Sequence, residues 1–133
     1  MDDATREQQP AGGSGSLMRR AAEAAGLAAY HWDVASDVIS WSTNASAVLG
    51  CDCTDLATGR RFAERLDPGN LSNRYDAVMQ GDQVDGGNGV GFRIEYRFLP
   101  DGRRNRGSLW LEDQGRWHAG PDGRPARVLG TLR

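Results

Sequence analysis

The chain has 133 residues and a formal net charge of −2, room for one domain with a real core and no electrostatic case for nucleic acid. All sixteen basic residues are arginine, the mark of GC-rich coding rather than of selection for bidentate contacts. No apolar run approaches the roughly 20 residues of a membrane span, and the N-terminus lacks the charged start and apolar stretch of a signal peptide, so a cytoplasmic protein is expected.

Residues 1–15 are rich in Asp, Gln, Pro, Gly and Ser and lack periodicity, which predicts a disordered tail ahead of a single domain over 16–133. Ser16 is placed to cap a helix from Leu17 to Ala25, favoured by its alanines and stopped by Gly26. Its apolar stripe is thin, so it needs another surface, its own sheet or a second protomer. Leu27 to Val34 reads as a strand, 35–37 as a turn, and Val38 to Ser42 as the partner strand. A short helix follows from Ala45 to Leu49, ended by Gly50. Thr54 to Ala57 has helical character, and Arg60 to Leu66 reads as a further short helix with Phe62 and Leu66 on one face. Asp67-Pro68-Gly69-Asn70 breaks the chain. Asn70 is then placed to cap a helix over Leu71 to Gln80, with Leu71, Tyr75, Val78 and Met79 at helical spacing.

Gly81 to Gly89 is a polar link. From there Val90, Phe92, Ile94, Tyr96 and Phe98 alternate with Gly91, Arg93, Glu95, Arg97 and Leu99, a strand with one apolar face and one largely charged face. Pro100-Asp101-Gly102-Arg103 and Pro121-Asp122-Gly123-Arg124 are turn sequences bracketing a second long run, Arg104 to Gly120, broken near Gly115. A last strand runs from Pro125 to Leu132. Two strands, several short helices and three strands predict an α+β fold: one five-stranded antiparallel sheet with the helices on one face.

Cys51 and Cys53 stand one residue apart, poor geometry for a mutual disulfide, and two thiols without a nearby histidine do not make a zinc site. They read as incidental thiols, and no metal is expected. His31 and His118 are the only histidines, and no Gly-x-Ser-x-Gly, HExxH or P-loop pattern occurs. Catalytic residues are therefore not expected. His31, in a strand between Tyr30 and Trp32, reads as a structural histidine.

Four stretches, in this order and spacing, resemble a PAS domain of the bacterial sensory subclass: Ala25 to Val34; Ile39 to Ser42 with Leu49-Gly50; Ile94 to Gly102; and Gly120 to Pro125 leading to Leu129-Gly130. The likeness covers the chain from about Ala21 to Arg133. It implies the PAS fold, five antiparallel strands in order 2-1-5-4-3 with short helices on one face, and an N-terminal helix that helps dimerise. Trp110 to Trp117 and on to Arg127 is similar to PAS domains that stand N-terminal to GGDEF and EAL domains, which make and break cyclic di-GMP. The resemblance thus implies a non-catalytic sensory domain of a signalling protein. The domain would control a C-terminal cyclic-di-GMP module by protein–protein contacts and dimerisation, and the full-length protein would be a diguanylate cyclase or a cyclic-di-GMP phosphodiesterase. Two features depart from relatives. Leu66-Asp67-Pro68-Gly69-Asn70 stands where many carry His-Pro-x-Asp, and the chain stops at Arg133 just where a linking Asp-Ile/Val-Thr would begin, as in a domain truncated before its effector linker.

The cofactors of PAS relatives are disfavoured. The flavin-site string Asn-Cys-Arg-Phe-Leu-Gln is absent, and the helices from Asn44 to Gln80 hold no histidine for haem. The alternative reading is a metabolite in a central pocket, whose candidate lining is Ile39, Val48, Leu56, Phe62, Leu66, Val90, Phe92, Ile94, Tyr96 and Gly130; the same residues could simply fill the core. Tyr96, Ser42 and Thr131 are the few polar groups able to orient a ligand. A docking surface is expected on the other sheet face, from Tyr30, Trp32, Arg93, Arg97, Trp110, Trp117 and Leu129, joined by Leu17 of the N-terminal helix. A second copy of the chain or a receiver-like adaptor would bind there.

Overall fold

The computed structural model describes residues 17, 19–103 and 107–133; the expected disordered tail lies outside the described residues. Residues 19–24 are helical. They precede β1 (Ala28–Asp33), β2 (Val38–Trp41), α1 (Ala45–Leu49), a 3-10 turn (Cys53–Leu56), α2 (Gly59–Ala63), α3 (Arg74–Met79), β3 (Val90–Phe98), β4 (Leu109–Ala119) and β5 (Pro125–Leu132). The strands form one antiparallel sheet in the order β2-β1-β5-β4-β3, the expected architecture. No helix among the described residues is long and apolar enough to cross a membrane.

The two Pro-Asp-Gly turns behave as their chemistry requires. Gly102 and Gly123 take φ of 73° and 82°, which a side chain resists, and join the long strands as hairpins. A bulge at His118/Ala119 disturbs the β4–β5 ladder, and the Ala119 N–H donates to Asp85 Oδ2 at 2.9 Å. Asp85 Oδ1 accepts from the N–H groups of Gly87 and Gly89. One carboxylate thus ties the 85–89 loop to the irregular end of β4.

The helix boundaries differ from expectation between β2 and β3. Thr58 Oγ1 accepts from Arg61 N and starts α2, and Asn73 Oδ1 accepts from Asp76 N and starts α3. Asn70, expected as that cap, docks instead on the edge strand: its Oδ1 accepts from Arg97 N and its Nδ2 donates to Arg97 O, which also accepts from Asp67 N. The turn thereby covers part of an edge that would otherwise offer itself to another chain. With the helix starting at Arg74, Leu71 is left fully exposed and Tyr75 half exposed, while Arg74 and Val78 face inward.

Register assigns the sheet faces. Tyr30 lies opposite Gly130 and Trp41, Trp32 opposite Val128 and Ile39, and Trp117 opposite Val90 and Val128. All of these face the helices. The expected outer cluster is therefore corrected: Tyr30, Trp32 and Trp117 are buried core residues, and only Trp110 and Leu129 of that aromatic and apolar set are exposed on the outside. His31 is likewise exposed on the outer face rather than enclosed.

The core centres on Phe62, whose ring stands 5.8 Å from Trp41, 6.2 Å from Tyr96 and 5.6 Å from Phe98, centroid to centroid. Burying such a ring contributes about 1.5–3 kcal/mol, and each well-placed aromatic pair about 0.5–1.5 kcal/mol more. Phe62 is the residue through which α2 holds the sheet.

A buried charged cluster behind an apolar cleft

Asp113 points inward from β4 and is completely buried. Its alternation partners Leu111 and Trp117 also face the core, so strand geometry leaves it no route to solvent. Three donors converge on it. Tyr30 Oη donates to Oδ1 at 2.6 Å, while Tyr96 Oη at 2.5 Å and Arg74 Nε at 2.8 Å donate to Oδ2. The Arg74 guanidinium carbon lies 3.7 Å from the Tyr30 ring centroid and 4.4 Å from that of Phe62, an arginine held against two aromatic rings. Arg74 Nη2 is buried with no hydrogen-bond partner among the described residues.

Burial and the Asp113 charge set the protonation states. Burial pushes the Tyr30 hydroxyl well above its ordinary value, against the pull of Arg74 and with help from Asp113. Burial does the same to Tyr96, reinforced by Asp113. Both tyrosines are therefore donors at any ordinary pH. Burial works against the charge on Arg74, but Asp113 and the two tyrosine oxygens outweigh it, and the guanidinium is held more firmly protonated than usual. The cluster is a neutralised ion pair, fully inside the fold.

Arg74 also lines a cleft of about 430 Å³ between α2, α3 and the start of the sheet. Trp32, Val34, Phe62, Leu66, Tyr75 and Met79 make its walls apolar; Asp37, Arg60 and Asn73 are its other polar groups. Asp37, at φ 64°, holds this corner together. Its Oδ1 accepts from Trp32 Nε1 at 2.9 Å and its Oδ2 from Arg60 N at 3.0 Å.

The expected pocket residues divide. Phe62 and Leu66 line the cleft. Ile39, Leu56, Val90 and Tyr96 are buried in the core, while Val48, Phe92 and Ile94 pack half-buried against it. Gly130 lies under the Tyr30 ring, where a Cβ would come within 2.5 Å of Tyr30 Oη. Ser42 is spent on structure, accepting from Ala29 N and donating to Asn44 Oδ1. The space beneath the middle of the sheet is thus filled by rings, and the cleft opens beside it.

On the outer face, Trp110 is 65% and Leu129 43% exposed. Leu129 pairs with Arg116, six residues along β4 from Trp110, so about 20 Å separates the two side chains and they form no joint patch. Arg97 lies 4.8 Å from the Trp110 ring, and Arg93 and Arg133 both bind Glu112. Leu17 is exposed. Cys51 and Cys53 are free and partly buried, and burial raises both thiols above their ordinary values.

The residues that residue-by-residue reading missed are Arg74 and Asp113. Asp113 was legible in principle: a carboxylate at the same strand parity as Leu111 and Trp117 is a charge on the apolar face. Arg74 carried a weaker sign, four residues before Val78 on the helix.

No family model and no curated protein matches the sequence. Solved structures do. One is the N-terminal domain of a diguanylate cyclase with PAS/PAC sensor from Marinobacter aquaeolei, at TM-score 0.62 and 15% identity, covering 80% of this chain and 93% of that one. Another is a sensory box histidine kinase/response regulator from Burkholderia thailandensis, at TM-score 0.61 and 17% identity, covering 87% of this chain and 82% of that one. With the strand order and the short helices of the single layer, these neighbours establish that the chain has the PAS fold.

Proposed function

We propose that this chain is the input domain of a signalling protein and that it senses a small molecule in the cleft between α2 and α3. The observation that carries the reading is the Arg74–Asp113 pair. Arg74 lines the cleft, and Asp113 stands on the interior strand β4, directly across from Leu132 at the end of the central strand β5. A ligand that moves Arg74 therefore acts on a carboxylate at the heart of the sheet. The output on this reading is a cyclic-di-GMP turnover module, supported by the likeness of the 110–127 segment to PAS domains N-terminal to such modules and by the diguanylate cyclase among the structural neighbours. The chain itself does no catalysis.

The test is a thermal-shift screen of small metabolites against the chain and against Ala63→Phe. Ala63 is exposed and lines the cleft, so the larger side chain blocks the cleft without entering the core. Ligands are expected to raise the melting temperature of the unmodified chain and not of the variant. A screen with no ligand specific to the open cleft would sink the reading.

Exposed Trp110 beside Arg97 favours a second reading, in which the outer sheet face docks a second copy or a receiver-like adaptor. Trp110→Ala is then expected to weaken self-association in sedimentation or capture of the partner. Unchanged behaviour in both would count against it. The burial of Tyr30, Trp32 and Trp117 removes much of the surface on which docking would rely, and for that reason the cleft comes first.

A further inference from the structure

The chemistry of the cleft narrows what it can take. Arg74 is among its lining residues; the Nε of this side chain is satisfied by Asp113, and its Nη2 is buried without a partner among the described residues. A buried donor without an acceptor is unfavourable, so a molecule that presents an acceptor there is favoured over one that does not.

Charge decides which acceptor. Asp113 already balances Arg74, and the other polar corner of the cleft carries the Asp37 carboxylate, which accepts from the Arg60 backbone N–H. An anionic ligand at Nη2 would bring a buried charge to a guanidinium that Asp113 already neutralises, and would lose its hydration without a matching gain. A hydrocarbon would avoid that cost but leave Nη2 unsatisfied. A neutral carbonyl oxygen meets both conditions. The walls supply the rest: Trp32, Phe62, Leu66 and Met79 suit an apolar, planar body, and about 430 Å³ lies at the small end of the usual range for ligand sites. Reaching Nη2 requires a wall side chain to shift, and half-buried Met79, unbranched and polarizable, is the adaptable one.

We propose that the cleft takes a small uncharged molecule with a carbonyl oxygen on a planar apolar body, the carbonyl accepting from Arg74 Nη2 and the body packing on Trp32, Leu66 and Met79. The proposal rests on the ligand-sensing reading and adds the class of ligand to it. Arg74 then has two roles, a structural one toward Asp113 and a selective one toward the ligand.

Three molecules of similar size separate the possibilities: acetophenone, ethylbenzene and benzoate, each titrated into the isotope-labelled full chain and followed by NMR. Acetophenone is expected to shift the Arg74 Nε–H and Met79 methyl resonances and to bind at least about tenfold more tightly than either of the others, the worth of one hydrogen bond to a charged group. In Ala63→Phe those shifts are expected to vanish. Benzoate binding as tightly as acetophenone overturns the neutral-ligand assignment, and ethylbenzene doing so overturns the role of Nη2; either result leaves the cleft standing as a ligand site. Arg74 shifts that persist at unchanged affinity in Ala63→Phe overturn the location. Failure of all three to bind at millimolar concentration overturns this proposal, and the metabolite screen then decides the sensing reading separately.

Discussion

Tyr30 and Gly130 face each other across β1 and β5, and the tyrosine ring occupies the space that any side chain at 130 would need. That close approach lets the Tyr30 hydroxyl reach Asp113, 83 residues further along the chain, at 2.6 Å. A Cβ at 130 would meet Tyr30 Oη at 2.5 Å and Cζ at 2.7 Å, distances at which something must move. Gly130→Ala is therefore expected to destabilise the chain by about 1–3 kcal/mol, the usual cost of overpacking. Urea denaturation measures it. A loss below about 0.5 kcal/mol would mean that the ring yields freely and that the Tyr30–Asp113 bond does not depend on this glycine.

The ion pair behind that tyrosine makes a sharper prediction. Arg74 and Asp113 are both buried, so removing either leaves the other as an uncompensated buried charge. Arg74→Met and Asp113→Leu are each expected to cost about 3–5 kcal/mol. The double variant removes both charges together and is expected to be more stable than the sum of the singles predicts, by about 0.5–3 kcal/mol. Strict additivity in the double-mutant cycle would show that the two groups do not act as a pair.

The same cluster explains what was legible in the sequence and what was not. Alternation from Val90 to Phe98 and the two Pro-Asp-Gly turns specify local geometry, which is why three strands and two hairpins could be placed from residues alone. Face assignment is harder, because it rests on register between strands far apart in sequence. Tyr30, Trp32 and Trp117 each sit on an alternating strand, and a one-residue difference in parity moves such residues from outside to inside. The α3 start was misplaced because Asn70 and Asn73 are equally good caps, and a tertiary contact decides between them: Asn70 is taken by the edge of β3. Arg74 was hidden for the same reason, and Asp113, whose strand parity places it on the apolar face, lacked a visible partner. A charged residue reads as surface until the partner that neutralises it is brought alongside by the fold.

Alkaline pH offers a test of the buried hydroxyls. Burial raises both Tyr30 and Tyr96 in the folded chain, while in the unfolded chain tyrosine ionises near pH 10. The stabilisation is fully present below that unfolded value. It is lost as pH rises past about 10, because the unfolded state releases protons that the folded state retains. Stability is thus expected to fall steeply above pH 10. In the Tyr30→Phe/Tyr96→Phe variant the baseline stability is lower and the alkaline slope shallower. Equal slopes in the two proteins, read from chemical denaturation across pH 9 to 12, would contradict the buried-donor assignment.

Acid pH tests a different element. Three backbone N–H groups, those of Ala119, Gly87 and Gly89, converge on Asp85 and hold its carboxyl below the usual carboxylate range. A depressed folded value means that the stabilisation is complete above the unfolded value of about 3.9 and disappears as pH falls through the lower folded value. Asp85→Asn keeps one acceptor oxygen but no charge, so it cannot satisfy all three donors. The unmodified chain is expected to exceed this variant in stability at neutral pH and to converge with it below pH 4. Hydrogen exchange at Gly87, Gly89 and Ala119 localises the effect: these three amides are expected to lose protection in acid before the β4–β5 ladder does. Loss of protection across the whole sheet at once would instead tie the bulge clamp to global unfolding, and the 85–89 loop would have no separate acid response.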